Sequence, residues 1–186
     1  KLAADCKEAS AVVTKVERKN RKEKPPLLYD LTTLQREANK IRGYTAQQTL
    51  DYAQSLYEKK MVTYPRTDSR YLTEDMAAMI PELVQKTVKK FSFSDEAVPV
   101  RTDQVINNKK VTDHHAIIPT KTAAETDLSA LPAGEQAVLE LIARRLVCAV
   151  GILSESDETA VELNCAGAVF KAKGSIVTEP GWKAFI

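Results

Sequence analysis

The chain has 186 residues, and its composition excludes several classes of protein. Hydrophobic residues make up 44% of it and charged residues 28%, as in ordinary globular proteins. The formal net charge is only +2, so overall charge does not by itself indicate a nucleic-acid partner. No apolar run is long enough to cross a bilayer and no stretch resembles a signal peptide, so we expect no membrane insertion.

The three cysteines, Cys6, Cys148 and Cys165, are odd in number and far apart. They lack the spacing of metal ligands, so we expect free or buried thiols in a reducing compartment. The chain begins with Lys1 and has a strand-like stretch near each end. Both features indicate a piece of a larger protein.

The first predicted element is a strand over residues 11–18, which is rich in β-branched residues. Basic residues crowd this strand and the residues after it: Lys15, Arg18, Lys19, Arg21, Lys22 and Lys24. They could track phosphates, or they could keep an edge strand from pairing with other strands. We favour the second interpretation. The pair Pro25-Pro26 then marks a domain boundary.

Two helices are predicted next. The first begins at a capping box formed by Thr32 and Gln35 and ends at Gly43. The second begins at a capping box formed by Thr45 and Gln48. Their apolar stripes are Leu34, Ala38 and Ile41, then Leu50, Ala53, Leu56 and Tyr57. The pair predicts a helix-turn-helix, which binds DNA in many proteins and only packs in others.

After these two helices the sequence contains both helix and strand signals. A helix begins after Thr73, and Pro81 either kinks it or begins the next helix, which ends near Lys90. The other predicted elements are a strand near residues 98–105, an apolar helix over 135–150, and strands at 159–163 and 168–172. Helices therefore dominate the middle and strands the ends, which predicts an α+β fold. We expect a small β domain of residues 1–24 and 154–186, interrupted by a mainly helical domain of residues 25–153.

The segment around Tyr64 carries the most specific chemistry. Pro65 fixes its own backbone and holds Tyr64 extended, so Tyr64, Arg66 and Asp68 share one face. A phenol has a pKa of about 10 and is a poor nucleophile at neutral pH. A guanidinium on the same face can favour the phenolate and hold the oxygens of a phosphate under attack. The ordinary alternative is that Tyr64 packs beside a turn while Arg66 pairs with Asp68.

The adjacent His114 and His115 point in different directions, so they are not expected to bind one metal ion together. No acidic or thiol cluster lies nearby in the sequence to complete a zinc site. From the residues alone, one histidine capping a loop and the other half-buried is as good an interpretation as phosphate binding.

Three segments resemble, in the same order, those of type IA DNA topoisomerases in their bacterial topoisomerase III form. Residues 63–72, Thr-Tyr-Pro-Arg-Thr-Asp-Ser-Arg-Tyr-Leu, resemble the active-site segment. Residues 25–38 resemble the segment upstream of the tyrosine, and residues 113–120, Asp-His-His-Ala-Ile-Ile-Pro-Thr, resemble the downstream histidine motif. The likeness extends to residues 174–182. His115 stands where the topoisomerase I form carries an acid, which favours the topoisomerase III form and leaves the role of His115 open.

The resemblance implies a role for each matching residue. Tyr64 would attack a phosphodiester of single-stranded DNA and become linked to its 5′ phosphate, and the freed 3′ hydroxyl would reverse the step without ATP. Arg66 would stabilise the pentavalent phosphate, with Asp68 as its orienting partner. His114 would hold the DNA. Further candidates for contacts with the DNA backbone are Ser69 and Arg70.

The resemblance also implies parts that lie elsewhere. The family binds Mg²⁺ through an acidic cluster in a separate amino-terminal domain, and no such cluster is present in this sequence. We expect single-stranded DNA and the remaining domains of the same polypeptide as partners, no membrane, and a cytoplasmic location at the bacterial nucleoid. Alone, the chain is expected neither to cleave nor to relax DNA.

Two alternatives stay open. A tyrosine recombinase also combines arginine and histidine with a tyrosine, but it forms a 3′ phosphotyrosine and places that tyrosine near its carboxyl end. Tyr64 lies in the first half of this chain. The other alternative is a non-catalytic helix-turn-helix module that binds DNA and in which Tyr64 only packs.

Overall fold

The computed structural model describes all 186 residues, which divide into two compact units. The β unit contains residues 1–24 and 153–181, and the helical unit contains residues 25–152 and 182–186. Six α-helices and one antiparallel sheet confirm the predicted α+β class. None of the helices combines the length and the apolar character needed to cross a membrane.

The β unit is a three-stranded antiparallel sheet in the order β1-β2-β3, with one short helix. Its elements are α1 (Leu2–Lys7), β1 (Val12–Glu23), β2 (Ser154–Cys165) and β3 (Ala168–Glu179). Strands β2 and β3 form a hairpin whose two turn residues, Ala166 and Gly167, both have positive φ (48° and 80°). A two-residue turn of this kind matches the twist of the strands it joins. All three strands are longer than the sequence pattern predicts.

The basic residues of β1 are matched by acidic residues on β2. Arg21 lies 2.8 Å from Glu158, and Lys22 lies 2.9 Å from Glu155. The strand is exposed along its whole length, so each pair contributes less than about 1 kcal/mol. These ion pairs nevertheless explain how a strand rich in charged residues extends to Glu23. They also support the interpretation of β1 as a charged edge strand rather than as a patch that binds phosphates.

The helical unit contains the remaining five α-helices and four short 3₁₀ turns. The helices are α2 (Leu31–Arg42), α3 (Ala46–Glu58), α4 (Ile80–Lys90), α5 (Lys121–Glu125) and α6 (Ala133–Ala149). The 3₁₀ turns are Glu74–Met76, Thr102–Gln104, Asn108–Lys110 and Gly181–Phe185, of which the last begins at the final residue of the β unit. Helix α6 lies at the centre, because one core cluster packs it against α2 and α3 while a second packs it against α4.

Capping residues in the sequence predict most of the helix ends correctly, with one exception. Gly43 ends α2 in the left-handed conformation (φ 72°), and Thr45 and Gln48 form the predicted capping box of α3. Helix α2, however, is capped by Asp30, whose carboxylate accepts a hydrogen bond of 2.7 Å from the Thr33 N–H. The prediction of Thr32 as the cap is therefore wrong by two residues.

Three further predictions were wrong. Ile41 is 52% exposed and does not belong to the core stripe of α2. The expected strand at residues 98–105 is a loop with a 3₁₀ turn. Residues 182–186 belong to the helical unit rather than the β domain, because Trp182 donates to the Ile152 carbonyl (3.0 Å) and Arg144 donates to the Phe185 carbonyl (2.7 Å).

A buried carboxylate locks α3 to α6. Glu135 is 6% exposed and accepts hydrogen bonds from the Ser55 hydroxyl (2.8 Å) and the Lys59 ammonium group. Removing it leaves the Ser55 hydroxyl without its partner, so Glu135→Ala should lower the free energy of unfolding by about 2 kcal/mol in urea denaturation. Glu82→Ala, which removes an exposed ion pair with Lys86, should cost less than about 1 kcal/mol. Equal losses in the free energy of unfolding of the two variants would contradict a role for Glu135 in joining α3 to α6.

Candidate active site

Three segments that are distant in sequence meet in the helical unit. They are the upstream segment (residues 27–31), the tyrosine segment (residues 61–72) and the histidine segment (residues 114–120). Backbone hydrogen bonds join them: Ile117 N to Tyr29 O (2.8 Å), Leu31 N to Thr67 O (3.1 Å), Thr63 N to Ile118 O (3.0 Å) and Ala116 N to Tyr71 O (2.9 Å). The motifs quoted from the sequence therefore build one framework.

The tyrosine segment bends at Pro65 and Arg66 and is not a regular strand, so the expected extended backbone is interrupted there. Pro65, Thr67 and Ser69 are buried, whereas Arg66 and Asp68 are exposed and Tyr64 is half-buried. Burial therefore alternates along the segment and leaves the Arg66 and Asp68 side chains to solvent. That Tyr64, Arg66 and Asp68 share one face stays a prediction.

The Tyr64 ring lies between two other rings. Its centroid is 4.3 Å from that of His114, with the planes tilted by 45°, and 5.3 Å from that of Tyr57, which meets it edge to face at 76°. Such aromatic contacts contribute about 0.5–1.5 kcal/mol each beyond burial and favour a defined ring orientation. The Tyr64 hydroxyl has no hydrogen-bond partner in the chain, so it is available to an external group.

The sequence did not reveal Tyr57, which it assigned to the core stripe of α3. Tyr57 is 39% exposed and faces Tyr64 instead. Lys60 has a positive φ of 61°, and Met61 N donates back to Leu56 O (2.8 Å), which turns the chain alongside the helix it has just left. A non-glycine residue in this conformation gives little signal in a sequence, which is why the contact was missed.

The two histidines have different environments. His114 is exposed, and its carbonyl accepts a hydrogen bond of 2.9 Å from the Thr67 hydroxyl, which ties it to the tyrosine segment. His115 is half-buried, and its Nδ1 lies 2.8 Å from the Ala116 carbonyl. The imidazole of His114 is therefore the one presented beside Tyr64, while His115 bonds to the framework.

Arg66 and Asp68 are both exposed, and neither takes part in an ion pair. The alternative in which Arg66 pairs with Asp68 is therefore not what the molecule adopts. An exposed guanidinium without a carboxylate partner keeps its donors available for an anionic ligand.

Ser69 and Arg70 are engaged inside the protein. The Ser69 hydroxyl is buried, donates to the Lys110 carbonyl (2.8 Å) and accepts from the Tyr71 N–H (3.2 Å). The Ser69 hydroxyl is therefore engaged in the framework, and a contact of Ser69 or Arg70 with DNA stays a prediction. Arg70 is half-buried and donates from Nε to the Leu28 carbonyl (3.0 Å).

A second arginine holds the upstream segment from the other side. Arg145 lies 4.2 Å above the Tyr29 ring centroid, donates to the Leu27 carbonyl (3.2 Å) and forms an ion pair with Glu37. The Arg145 side chain is only 13% exposed. Burial raises the pKa of the Tyr29 phenol, so this tyrosine is not a second nucleophile.

The residues of this chain do not fit a Mg²⁺ site. No group of three or more histidine, cysteine, aspartate or glutamate side chains comes together anywhere in the molecule. The resemblance implies a cluster of acidic oxygen ligands for Mg²⁺, and this chain does not bring such a cluster together.

Comparison with known proteins decides the family. The family model described as DNA topoisomerase matches residues 1–186. The chain belongs to this family. It is 39% identical to DNA topoisomerase 3 of Shouchella clausii (strain KSM-K16), over 98% of this chain and 26% of that protein. It is also 39% identical to DNA topoisomerase 3 of Bacillus subtilis (strain 168), over 94% of this chain and 24% of that protein.

The fold agrees with a solved family member. The structure of full-length topoisomerase I from Thermotoga maritima matches with a TM-score of 0.70 and 24% identity, over 98% of this chain and 30% of that chain. These findings confirm the predicted resemblance to bacterial type IA topoisomerases in the topoisomerase III form. The chain spans about a quarter of the length of the curated relatives.

Proposed function

We propose that this chain is the tyrosine-bearing part of a longer type IA topoisomerase. This enzyme would change DNA topology by transient cleavage and resealing of single-stranded DNA. One observation carries the proposal: the Tyr64 hydroxyl has no internal partner, its ring contacts those of Tyr57 and His114, and Arg66, two residues along the chain, is exposed and unpaired.

The reaction is a pair of transesterifications. The Tyr64 oxygen attacks phosphorus, the bond to the 3′ oxygen breaks, and that oxygen leaves with a proton as a 3′ hydroxyl. The phenol gives up its proton as it attacks, and the leaving 3′ oxygen takes one up, so the step neither consumes nor releases a proton overall. Because the phosphodiester is exchanged for a phosphotyrosine bond of similar energy, the 3′ hydroxyl can reverse the step and no ATP is needed.

Three side chains assist Tyr64. The Arg66 guanidinium group offers N–H donors to the phosphate oxygens, whose negative charge grows as the pentavalent state forms. The His114 imidazole donates a hydrogen bond to the same or a neighbouring phosphate, and carries positive charge when protonated. Tyr57 and His114 limit the orientations of the Tyr64 ring, so its oxygen is aimed before DNA arrives.

The remaining requirements belong to the longer polypeptide. Since the residues here do not fit Mg²⁺, we place the metal and its acidic ligands in other domains of the same chain. The 186-residue chain alone should form no covalent adduct with an oligonucleotide in Mg²⁺. We also place the enzyme in the bacterial cytoplasm, at the nucleoid.

The polarity of the covalent bond tests the proposal. The full-length protein is incubated with single-stranded oligonucleotides labelled at either end, then denatured and separated on a gel. Attachment to the 5′ phosphate leaves the 3′-labelled piece on the protein and releases the 5′-labelled piece. The opposite result would indicate recombinase-like chemistry, and the absence of both adducts would reject covalent catalysis.

The helix-turn-helix alternative receives less support. Helices α2 and α3 do form such a pair, but the polar side chains at the start of α3 are occupied. Gln48 accepts from the Thr45 N–H (2.9 Å), and Gln47 donates to Asp51 (2.7 Å). Each amide keeps further donors and acceptors, but these bonds already fix its orientation within α3 and its cap.

A further inference from the structure

A groove lies between α2 and α6 in the helical unit, with a volume of about 840 Å³. Its lining residues come from the exposed side of α2, from α6, from Pro26 and Arg70, and from Trp182 and Ile186 near the carboxyl end. The volume falls within the range of about 300–1,000 Å³ typical of ligand sites. We call it the α2–α6 groove; Tyr64, Arg66 and His114 do not line it.

The α2–α6 groove concentrates the positive charge of the chain. Its cationic side chains are Arg36, Lys40, Arg42, Arg70, Arg144 and Arg145, and its acidic side chains are Glu37 and Glu140. Six cations and two acids leave a formal charge of +4, whereas the whole chain carries only +2. The rest of the molecule is therefore net negative, and a polyanion is drawn to this groove rather than to the surface in general.

The two acids hold cations in place without neutralising the groove. Glu140 lies 3.3 Å from Arg42 and 2.7 Å from Arg144, and Glu37 pairs with Arg145. Arg36 and Lys40, one turn apart on α2, are exposed and have no partner. Fixed guanidinium groups beside two unpaired cations form a preorganised surface for phosphate groups.

The groove also contains apolar surface. Ile41 is 52% exposed, and Leu141 and Trp182 line the groove with it. A site for inorganic phosphate does not need this surface. Single-stranded nucleic acid presents phosphates on one side and apolar sugar and base faces on the other, and proteins bind it by combining cations with apolar and aromatic side chains.

We propose that the α2–α6 groove binds the backbone of single-stranded DNA, as a contact separate from the phosphate at Tyr64. The identity of the polyanion rests on the proposed function. Arg70 lines the groove, and it follows Arg66 by four residues, a span of at most about 13 Å in an extended chain. The groove and the tyrosine segment therefore adjoin at Arg70.

The groove is tested in the 186-residue chain by fluorescence anisotropy with a labelled oligothymidine at several salt concentrations. Arg36→Gln/Lys40→Gln should weaken binding about tenfold and lower the slope of log K against log salt by about 1.4, because two phosphate contacts are lost. The control Lys7→Gln/Lys89→Gln removes the same charge from exposed positions outside the groove and should bind like the parent. Circular dichroism verifies that every variant is folded.

Three results would overturn the groove proposal: no binding by the parent chain, equal weakening in the control, or normal binding by the groove variant. Its failure is separate from failure of the proposed function. If the full-length protein forms the 5′-linked adduct, the proposed function is supported, whatever the affinities of the groove variants. If no adduct forms but the groove variant loses affinity and salt slope, the groove stands as a nucleic-acid site without that chemistry.

Discussion

Tyr64→Phe should abolish DNA cleavage and relaxation by the full-length protein while preserving DNA binding. The substitution removes the attacking oxygen but keeps the ring, so the contacts with Tyr57 and His114 persist. Removing a nucleophile from an assembled site typically lowers the rate on the order of 10⁶-fold, which places activity below detection. The measurements are relaxation of negatively supercoiled plasmid, adduct formation, and oligonucleotide affinity.

Tyr44→Phe is the matched control. Tyr44 meets Tyr52 edge to face, with ring centroids 5.3 Å apart, and packs against a core cluster, so its loss of a hydroxyl should leave relaxation unchanged. Retained relaxation by Tyr64→Phe would reject the covalent mechanism. It would favour the non-catalytic alternative, in which Tyr64 only packs.

The features that the sequence predicted correctly are fixed by local sterics. Gly43 occupies a left-handed conformation that few other residues adopt, and Thr45 with Gln48 closes a capping box within four residues. Pro65 restricts its own torsion and that of Tyr64, and the burial pattern that exposes Arg66 was predicted from this segment, although the bend at Pro65 and Arg66 was not.

The predictions that were wrong depend on contacts between distant residues. Asp30 rather than Thr32 caps α2, and the Leu31 N–H is bonded to the Thr67 carbonyl of the tyrosine segment. Ser69 resembles an exposed polar residue in sequence, but the Lys110 carbonyl, 41 positions away, accepts its hydroxyl. Such partners are set by tertiary packing, which local propensity does not record.

The assembly of the site could be predicted only from the family resemblance. Nothing in the spacing of residues 27–31, 61–72 and 114–120 requires them to meet. Their backbone groups pair across the framework because each segment is too irregular to satisfy its own N–H and C=O groups, and buried backbone groups must find partners. The resemblance named the three segments; the hydrogen bonds explain why they act together.

Arg66→Ala should slow cleavage by about 10²–10³-fold in the full-length protein, a loss of about 3–4 kcal/mol of transition-state stabilisation. The free energy of unfolding should not change, because the Arg66 side chain is exposed and has no internal partner. The cleavage rate of Arg66→Lys should lie between those of the parent and Arg66→Ala, because an ammonium group keeps the charge but not the bidentate geometry of a guanidinium. The measurement is the single-turnover rate of adduct formation at saturating DNA, which separates chemistry from binding.

The pattern of rates and affinities distinguishes this role from simple attraction of DNA. If Arg66 only attracted the strand, Arg66→Ala would weaken affinity and saturating DNA would restore the rate. Arg101→Ala, which removes an exposed arginine paired with Asp103, controls for the change in charge and should affect neither quantity. A rate that stays low at saturation, with no loss in the control, requires that the guanidinium act on the phosphate as its charge develops.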